Sequence, residues 1–529
     1  MTTPEPGDPA PRPPGTPAPP EPAAVVQAEA RLPTDDERRL HPWSWLFVLL
    51  ASVRQLIVPL GALVVFGGRS EDSWQLIGAG VVVAMLALAS IWRYFTYRYR
   101  IDGDSLLVRS GVFERSLRQV PFSRIHNVAL HQTLLHRVFG VAEVKLESAG
   151  GTRPEAQMRV LKLADALALE RVIRHRGHAA TDAAPEVSPS TAGDGETLLS
   201  LGMGEIVRLG LISNRGMVVV AAAFALAWQV FPERRMLGLF RDFWRDAFGY
   251  VGQFNGGWLA TAASVALFVL LVLALIRAFS VVLAIVRYHG FRLSQHGRRL
   301  TVERGLLTRV RASVPRRRIQ AWTLRESVLH RAFGRRSLDI DTATSQVDPN
   351  QEKPLQELAP VATPAACDAL VNHVLRDAAW PPAGWSPLHR RAWMRLLLGD
   401  IVFGVAAIAV ATWHFGSWGL LALLWLPWAW LVARGHAARA GYAIDGRLVA
   451  VREGWWSRRW RFAELDKVQA LELRRSPLDR HFGMASVWVD TAGAGAMSGA
   501  LRIRHLPLDE ARRLHARIAG EVARRPLRW

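Results

Sequence analysis

Long apolar runs come in pairs along this chain, separated by stretches in which apolar and polar residues alternate. The pairs are 43–66 with 76–92, 217–231 with 258–286, and 396–415 with 418–432. A helix needs ~20 apolar residues to cross ~30 Å of hydrocarbon, with a usual range of ~17–25. Several runs reach that length. Runs 217–231 and 418–432 reach it only if flanking residues are counted. Buried helices of a large soluble protein are the alternative. Three-fold pairing and tryptophans at the run ends favour a membrane. The pattern predicts six transmembrane helices in three hairpins.

Each pair is followed by the same kind of segment. Leu135-His136-Arg137-Val138-Phe139-Gly140 recurs as Leu329-His330-Arg331-Ala332-Phe333-Gly334 and as Leu478-Asp479-Arg480-His481-Phe482-Gly483. In every copy the closing glycine lies 29 residues after an earlier one, Gly111, Gly305 or Gly454. The chain is therefore a three-fold array, and its function belongs to the repeated unit. Ile125, Ile319 and Val468 coincide in the repeat; so do Val128, Trp322 and Leu471, and Leu130, Leu324 and Leu473. The last two sets are two residues apart, which is strand spacing. Asp102-Gly103 and Asp445-Gly446 read as hairpin turns between upstream strands. Further strands are predicted at 141–148, 337–344 and 485–491, and closing helices at 164–175, 364–376 and 508–523. Thr363-Pro364 is a good helix start.

These elements divide the chain into nine parts. A tail (1–42) precedes hairpin 1 (43–93) and a first domain (94–177). A linker (178–198), hairpin 2 (199–287) and a second domain (288–378) follow. A linker (379–395), hairpin 3 (396–434) and a third domain (435–529) complete it. The tail, rich in Pro, Ala and Glu, is expected to be disordered; no cleavable signal peptide is visible.

Charge sets the orientation. Arg93, Arg98 and Arg100, then Arg287, Arg292, Arg298 and Arg299, then Arg434 and Arg439 follow the three pairs, whereas the turns at 67–73 and 416–417 carry little positive charge. Excess Lys/Arg marks the cytoplasmic side, so both termini and all three domains are expected there, in the inner membrane. The 232–257 loop is rich in aromatics and mixed in charge, which suggests an interfacial helix. The net charge of +21 fits an acidic partner surface; with the basic residues flanking apolar runs, anionic lipid is favoured over nucleic acid. Hydrophobic residues make up 50% of the chain and mean hydropathy is +0.11, both in line with a membrane protein.

Candidate chemistry is sparse. No phosphate-binding loop, nucleophile elbow or zinc-protease motif is present, and no cofactor is implied. The single cysteine, Cys367, reads as packing. His126, His131 and His136 are spaced by five, but the first two have no equivalents in the other copies; no metal site is expected. The repeated Arg137, Arg331 and Arg480 either bind a phosphate headgroup, pair with a carboxylate or cap a carbonyl. Phe139, Phe333 and Phe482 read as core, and Gly140, Gly334 and Gly483 as tight turns with positive φ. The candidate lipid-binding surface is Arg309 and Arg311 with Arg316, Arg317 and Arg318, where each basic residue near an anionic leaflet gains about 1 kcal/mol; a solvated basic face is the alternative. Arg54 and Arg277 read as functional intramembrane charges or as snorkelling arginines, and with Gln55 and Asp400 they are the polar positions a transport pathway could use.

Span pairs followed by Pro121-Phe122-Ser123-Arg124-Ile125-His126-Asn127-Val128 and then Leu-x-Arg-x-Phe-Gly resemble the bacterial pleckstrin-homology-like membrane proteins. The likeness is strongest over 94–160, good over 288–345 and weaker over 440–492, where Glu464-Leu465-Asp466-Lys467-Val468 replaces Pro-Phe-Ser-Arg-Ile. The resemblance implies a bent, seven-stranded antiparallel sheet, a PH-like sandwich or barrel capped by a C-terminal helix, and no defined catalytic activity. Lipid binding is expected by analogy only. The chain is thus expected to be a non-enzymatic inner-membrane scaffold that binds anionic lipid, and membrane or cytoplasmic proteins, in an envelope-stress setting. A transporter or channel subunit is the alternative.

Overall fold

The computed structural model describes, with short interruptions, residues 38–50, 78–148, 156–179, 196–230, 235–245, 257–342, 356–492 and 500–524. The expectations attached to Arg54, Gln55, Gly111, the turn at 67–73 and most of the 232–257 loop lie outside these residues.

Each unit has seven strands in a group of four and a group of three, joined by a short 3-10 turn. Unit 1 contains β1 (Arg38–Arg39), β2 (Arg98–Asp102), β3 (Ser105–Ser110) and β4 (Ser116–Pro121), then β5 (Ile125–Gln132), the short helix α1 (Leu134–Val138), β6 (Val141–Ser148), β7 (Ala156–Lys162) and the closing helix α2 (Leu163–Ala179). Unit 2 opens with β8 (Glu196–Ser200), followed by α3 (Met203–Ile212), α4 (Arg215–Val230) and the 32-residue α5 (Gly257–Tyr288). It continues with β9 (Arg292–His296), β10 (Arg299–Arg304), β11 (Arg309–Pro315), β12 (Ile319–Glu326), α6 (Val328–Ala332), β13 (Arg336–Thr342), β14 (Glu357–Ala362) and α7 (Pro364–Val374). Unit 3 begins at β15 (Ser386–Pro387). Next come α8 (Ala392–Phe415), a 3-10 stretch (Gly416–Leu424) and α9 (Trp425–Arg439). Its remainder is β16 (Gly441–Asp445), β17 (Leu448–Glu453), β18 (Arg458–Glu464), β19 (Val468–Arg474), α10 (Pro477–His481), β20 (Met484–Thr491), β21 (Leu501–Pro507) and α11 (Leu508–Ala523).

Two features depart from a simple alternation of hairpin and domain. First, the apolar segment of every unit is inserted between its first and second strands. β1 pairs with β2, β8 with β9 and β15 with β16, across the apolar runs. The first strands therefore fall in or at the border of the expected tail (1–42) and linkers (178–198, 379–395). Two of them are only two residues long, too short to show alternation.

Second, the units share their sheets. One seven-stranded sheet runs β7-β6-β5-β11-β10-β9-β8, and another β14-β13-β12-β18-β17-β16-β15. The three-stranded group of each unit is thus continued by the four-stranded group of the next. Gln132 faces Arg309 and Ala129 faces Ala312 at the first joint; Glu326 faces Arg458 and Thr323 faces Arg461 at the second. Counted from Gly305 and Gly454, the two joints have the same register. The cores follow the sheets: Ala129 of unit 1 and Ala443, Leu448, Ala450, Trp460 and Phe462 of unit 3 belong to the core of unit 2.

The second joint is also tied by charge. Arg461 on β18 is buried, pairs with Asp341 on β13 at 2.7 Å and donates to Thr323 Oγ1 at 2.9 Å. Arg458 reaches Glu326 at 3.2 Å, a carboxylate that Arg336 also holds. Phe462 stacks on Trp380 with ring centroids 4.0 Å apart.

The helices pack through glycine. Gly210 lies against Val281, and Gly216 against Ile276 O and Ser280. The helices α3 and α4 are bent by 54° at residues 213–214. Arg277 fills that break, donating to Leu211 O, Ser213 O and Asn214 Oδ1 at 3.0–3.1 Å. Among the described residues two stretches, Ala262–Tyr288 and Ala392–Arg439, are long and apolar enough to cross a membrane, or three if the bent pair counts as one span. The second stretch doubles back near Gly416: the Phe403 and Trp425 rings are 6.0 Å apart, whereas a straight helix would separate them by ~33 Å. Its 3-10 stretch rises ~2.0 Å per residue instead of ~1.5 Å, which lengthens the otherwise short return arm.

Removing one partner of a buried ion pair leaves the other charge without compensation, at a cost of roughly 3–5 kcal/mol. Arg461→Ala is therefore expected to lower the melting temperature of the detergent-solubilised protein markedly, and Arg461→Met with Asp341→Leu to recover most of the loss. Equal destabilisation by the single and double variants would contradict a load carried by this pair.

Candidate functional site

The repeated motif forms a tight helical turn in all three units, and its first residue was not evident from the six-residue pattern. Thr133, Ser327 and Ser476 cap α1, α6 and α10, each accepting from the backbone N–H three residues on. His330 and Asp479 complete reciprocal capping boxes, and His136 Nδ1 lies 2.6 Å from Thr133 Oγ1. The overlooked signal is the Ser/Thr-x-x-His/Asp spacing. After the helix the chain turns at Gly140, Gly334 and Gly483, with φ of +63°, +59° and +68°.

From this turn, contacts run in two directions. One reaches the apolar segment of the same unit. Phe47 packs on His136 and Trp43 on Phe139, at centroid distances of 4.2 and 5.1 Å. Arg335 grips Glu205 of α3 at 2.7–2.8 Å, and Arg395 of α8 holds Asp479 at 3.0 Å. The other direction reaches the next unit. Arg137 donates to Leu306 O at 3.2 Å, and Arg331 to Trp456 O at 3.0 Å and Trp455 O at 3.5 Å. These carbonyls follow Gly305 and Gly454, whose φ values are +112° and +81°; a Cβ there would lie 2.0 and 1.9 Å from a carbonyl oxygen three residues on. Within a unit, the fixed 29-residue spacing thus separates the glycine turn that receives the preceding unit's arginine from the motif whose own arginine reaches the next unit. Of the repeated phenylalanines, Phe139 and Phe482 are half-buried and Phe333 is 38% exposed, so the expected core role does not hold for Phe333. Its position is a helix C-cap at the rim of the unit.

A dense cluster of charge lies where α5 meets the sheet. Glu357 on β14 accepts from Arg304 at 2.7 Å, from Arg215 at the start of α4 and from the Tyr288 hydroxyl; Arg287 stands 4.0 Å away. The three guanidinium groups also lie 5.2–5.6 Å from the Tyr288 ring centroid. Burial alone would push the Glu357 carboxyl up, but Arg215, Arg304 and Arg287 together hold it at about 2. Three cations thus face one carboxylate. Beside them opens a cavity of about 340 Å³ lined by Arg287, Arg304, Leu307, Thr308, Val310 and, from unit 1, His131. His131 Nε2 is buried there without a hydrogen-bond partner. Burial and Lys145 bring the His131 pKa down to about 4, so the ring is neutral near pH 7. The cavity can accept an anion from two guanidinium walls at the end of an apolar helix.

The five candidate lipid-binding arginines are not brought into one patch. Arg309 and Arg311 sit at the α5 end of β11, both paired with Glu303 at 3.3–3.4 Å. Arg316, Arg317 and Arg318 form the 3-10 turn at the other end, roughly 20 Å along the strand. Cys367 is buried, and burial pushes its thiol up to about 12.

Asp339, opposite Glu357 in the sheet, is buried, and its pKa is raised to about 6 by burial, with Arg325 opposing and Glu357 and Asp341 adding to the shift. A carboxyl raised in the folded state stabilises fully below its unfolded value near 3.8 and loses that contribution as pH rises through about 6. The contribution of Asp339 to the melting temperature should therefore fall between about pH 4 and 6, and Asp339→Asn should flatten that fall. A variant with the wild-type slope would contradict the assignment.

The bacterial PH domain family model matches residues 46–177, 247–374 and 395–522, each match reaching from an apolar segment into the closing helix of a unit. The UPF0699 transmembrane protein YdbT of Bacillus subtilis (strain 168) is 23% identical over 433 residues, covering 78% of this chain and 84% of that protein. No solved structure matches. The repeats, the shared sheets and these matches lead to one conclusion: the chain belongs to the bacterial PH domain family, as a transmembrane member with three such domains.

Proposed function

We propose that this protein is a non-enzymatic scaffold of the inner membrane whose unit 1–unit 2 junction holds the phosphate of an anionic lipid. In this reading the apolar segments form three hairpins that cross six times, with the units and both termini on the cytoplasmic side. The arginines that follow each apolar pair support that orientation.

The observation that carries the lipid reading is the excess of cations around Glu357, beside a cavity at the end of α5. Of the three cations around Glu357 only Arg304 is buried; Arg287 and Arg215 keep part of their surface open to an approaching anion. A headgroup phosphate entering along α5 would meet Arg287 and Arg304 while its acyl chains stayed in the apolar layer. Arg316, Arg317 and Arg318 stand at the far end of β11 and are assigned no headgroup here. Arg277, which a transport pathway would need free, is occupied by the carbonyls of the α3–α4 break. Protein partners at the same leaflet fit the scaffold reading, as does a role in envelope stress.

Thermal stability of the full chain in detergent, with phosphatidylglycerol or phosphatidylcholine added, tests this. Phosphatidylglycerol is expected to raise the melting temperature of the wild type. That rise should vanish in Arg287→Gln and persist when Arg316, Arg317 and Arg318 are all changed to alanine. A rise that ignores Arg287, or that the triple alanine variant abolishes, would sink the proposal.

A further inference from the structure

The two inner joints leave an identical pair of strands exposed at the ends of the array. In the first sheet, ordered β1-β2-β3-β4, the outer strand is β4; in the last, ordered β19-β20-β21, it is β19. β4 is the unit 1 counterpart of β11 and β18, and β19 the unit 3 counterpart of β5 and β12. Among the described residues no strand pairs with the outer side of either. Their exposure differs accordingly. Ser116, Leu117, Arg118 and Gln119 are all exposed, whereas Ala312 and Ser313 of β11 and Trp460, Arg461 and Phe462 of β18 are buried. Six of the eight residues of β12 form an unbroken buried run, Ile319 to Leu324; in β19 only Val468 is buried.

We propose that β4 of one copy pairs with β19 of a second copy, antiparallel, and so continues the array from chain to chain. The register is set by the inner joints. There the seventh residue after Gly305 or Gly454 faces Ala129 or Thr323. Transferred to the ends, this places Arg118 opposite Glu472 and Leu117 opposite Leu473. An opposite-charge pair thus falls where the second joint has the Arg461–Thr323 hydrogen bond, and an apolar pair falls beside it. Glu472 already accepts from Arg474 of its own strand at 2.6 Å, and a carboxylate has room for a second cation. Arg480, the third motif arginine, is exposed; Arg137, also exposed, and Arg331 each donate to a carbonyl of the following unit. The ends thus carry the strand and the arginine that complete a joint elsewhere in the same molecule.

Such a contact is heterologous, one surface meeting a different one, and so propagates as a ring or a row within the membrane plane. An exposed pair of edges would otherwise invite nonspecific strand addition. Charge opposite charge fixes register and rejects slipped pairings more than it adds affinity.

The test uses the full chain in membranes. Leu117→Cys and Leu473→Cys variants carrying different tags are expressed together and treated with a short bifunctional thiol reagent. Buried Cys367 leaves the background low. A mixed-tag dimer is expected, absent when either variant is expressed alone. Adding Glu472→Arg to the Leu473→Cys chain should abolish it, and Arg118→Glu in the other chain should restore it. The absence of a mixed-tag product, same-tag dimers in equal yield, or cross-linking only to unrelated proteins would each overturn the proposal. Loss of lipid response at the junction leaves this result untouched, so the two proposals fail separately.

Discussion

A strand at the edge of a sheet leaves every second backbone N–H and C=O without a partner, and this requirement shapes the whole β-sheet portion of the molecule. The three-stranded group of a unit presents β5, β12 or β19 as an edge, and the four-stranded group presents β4, β11 or β18. Joining the first kind to the second between neighbouring units satisfies both at once. The buried Ala129–Ala312 contact and the Arg461–Asp341 pair follow from that union. So does the work of the motif arginine, which reaches the carbonyls of the next unit's glycine turn because β5 and β11 are side by side.

The same arrangement fixes the apolar segments. Because each is inserted between the first and second strands of a unit, both ends of the insertion are held by one sheet. The capped turn after β5, β12 or β19 adds a third attachment, through Phe47, Glu205 or Arg395. A displacement of one helix pair is thereby coupled to the joint with the next unit. The Glu357 cluster lies at this crossing, linking α4, α5, β10 and β14. A ligand bound there would bear on membrane helix, unit and joint together.

Much of this was legible in the sequence. The repeat, the strands and the closing helices appear where apolar spacing placed them, with α11 at Leu508–Ala523 as expected; among the described residues two apolar stretches, or three with the bent pair, are long enough to span, fewer than the six helices expected. The positive φ of Gly140, Gly334 and Gly483 agrees with glycine at those turns. Other features are not encoded in local periodicity. β15 is two residues long, and nothing in its composition marks its pairing across a membrane segment with β16. Pairing between units is a long-range property that no local pattern in β11 or β12 marks. The basic run at Arg316–Arg318 drew attention by density, whereas the charged junction assembles from Arg215, Arg287, Arg304 and Glu357, scattered over more than a hundred residues. His136, for which no metal role was expected, lies 2.6 Å from the capping Thr133, a contact that the spacing of the two residues makes available.

Hydrogen–deuterium exchange across β5 and β11 in the full chain addresses the shared sheet most directly. The account predicts slow exchange at consecutive amides of Val128–His131 and Val310–Ser313, since both edges of each strand are paired. Fast exchange at every second amide of these segments, the signature of an open edge, would contradict it.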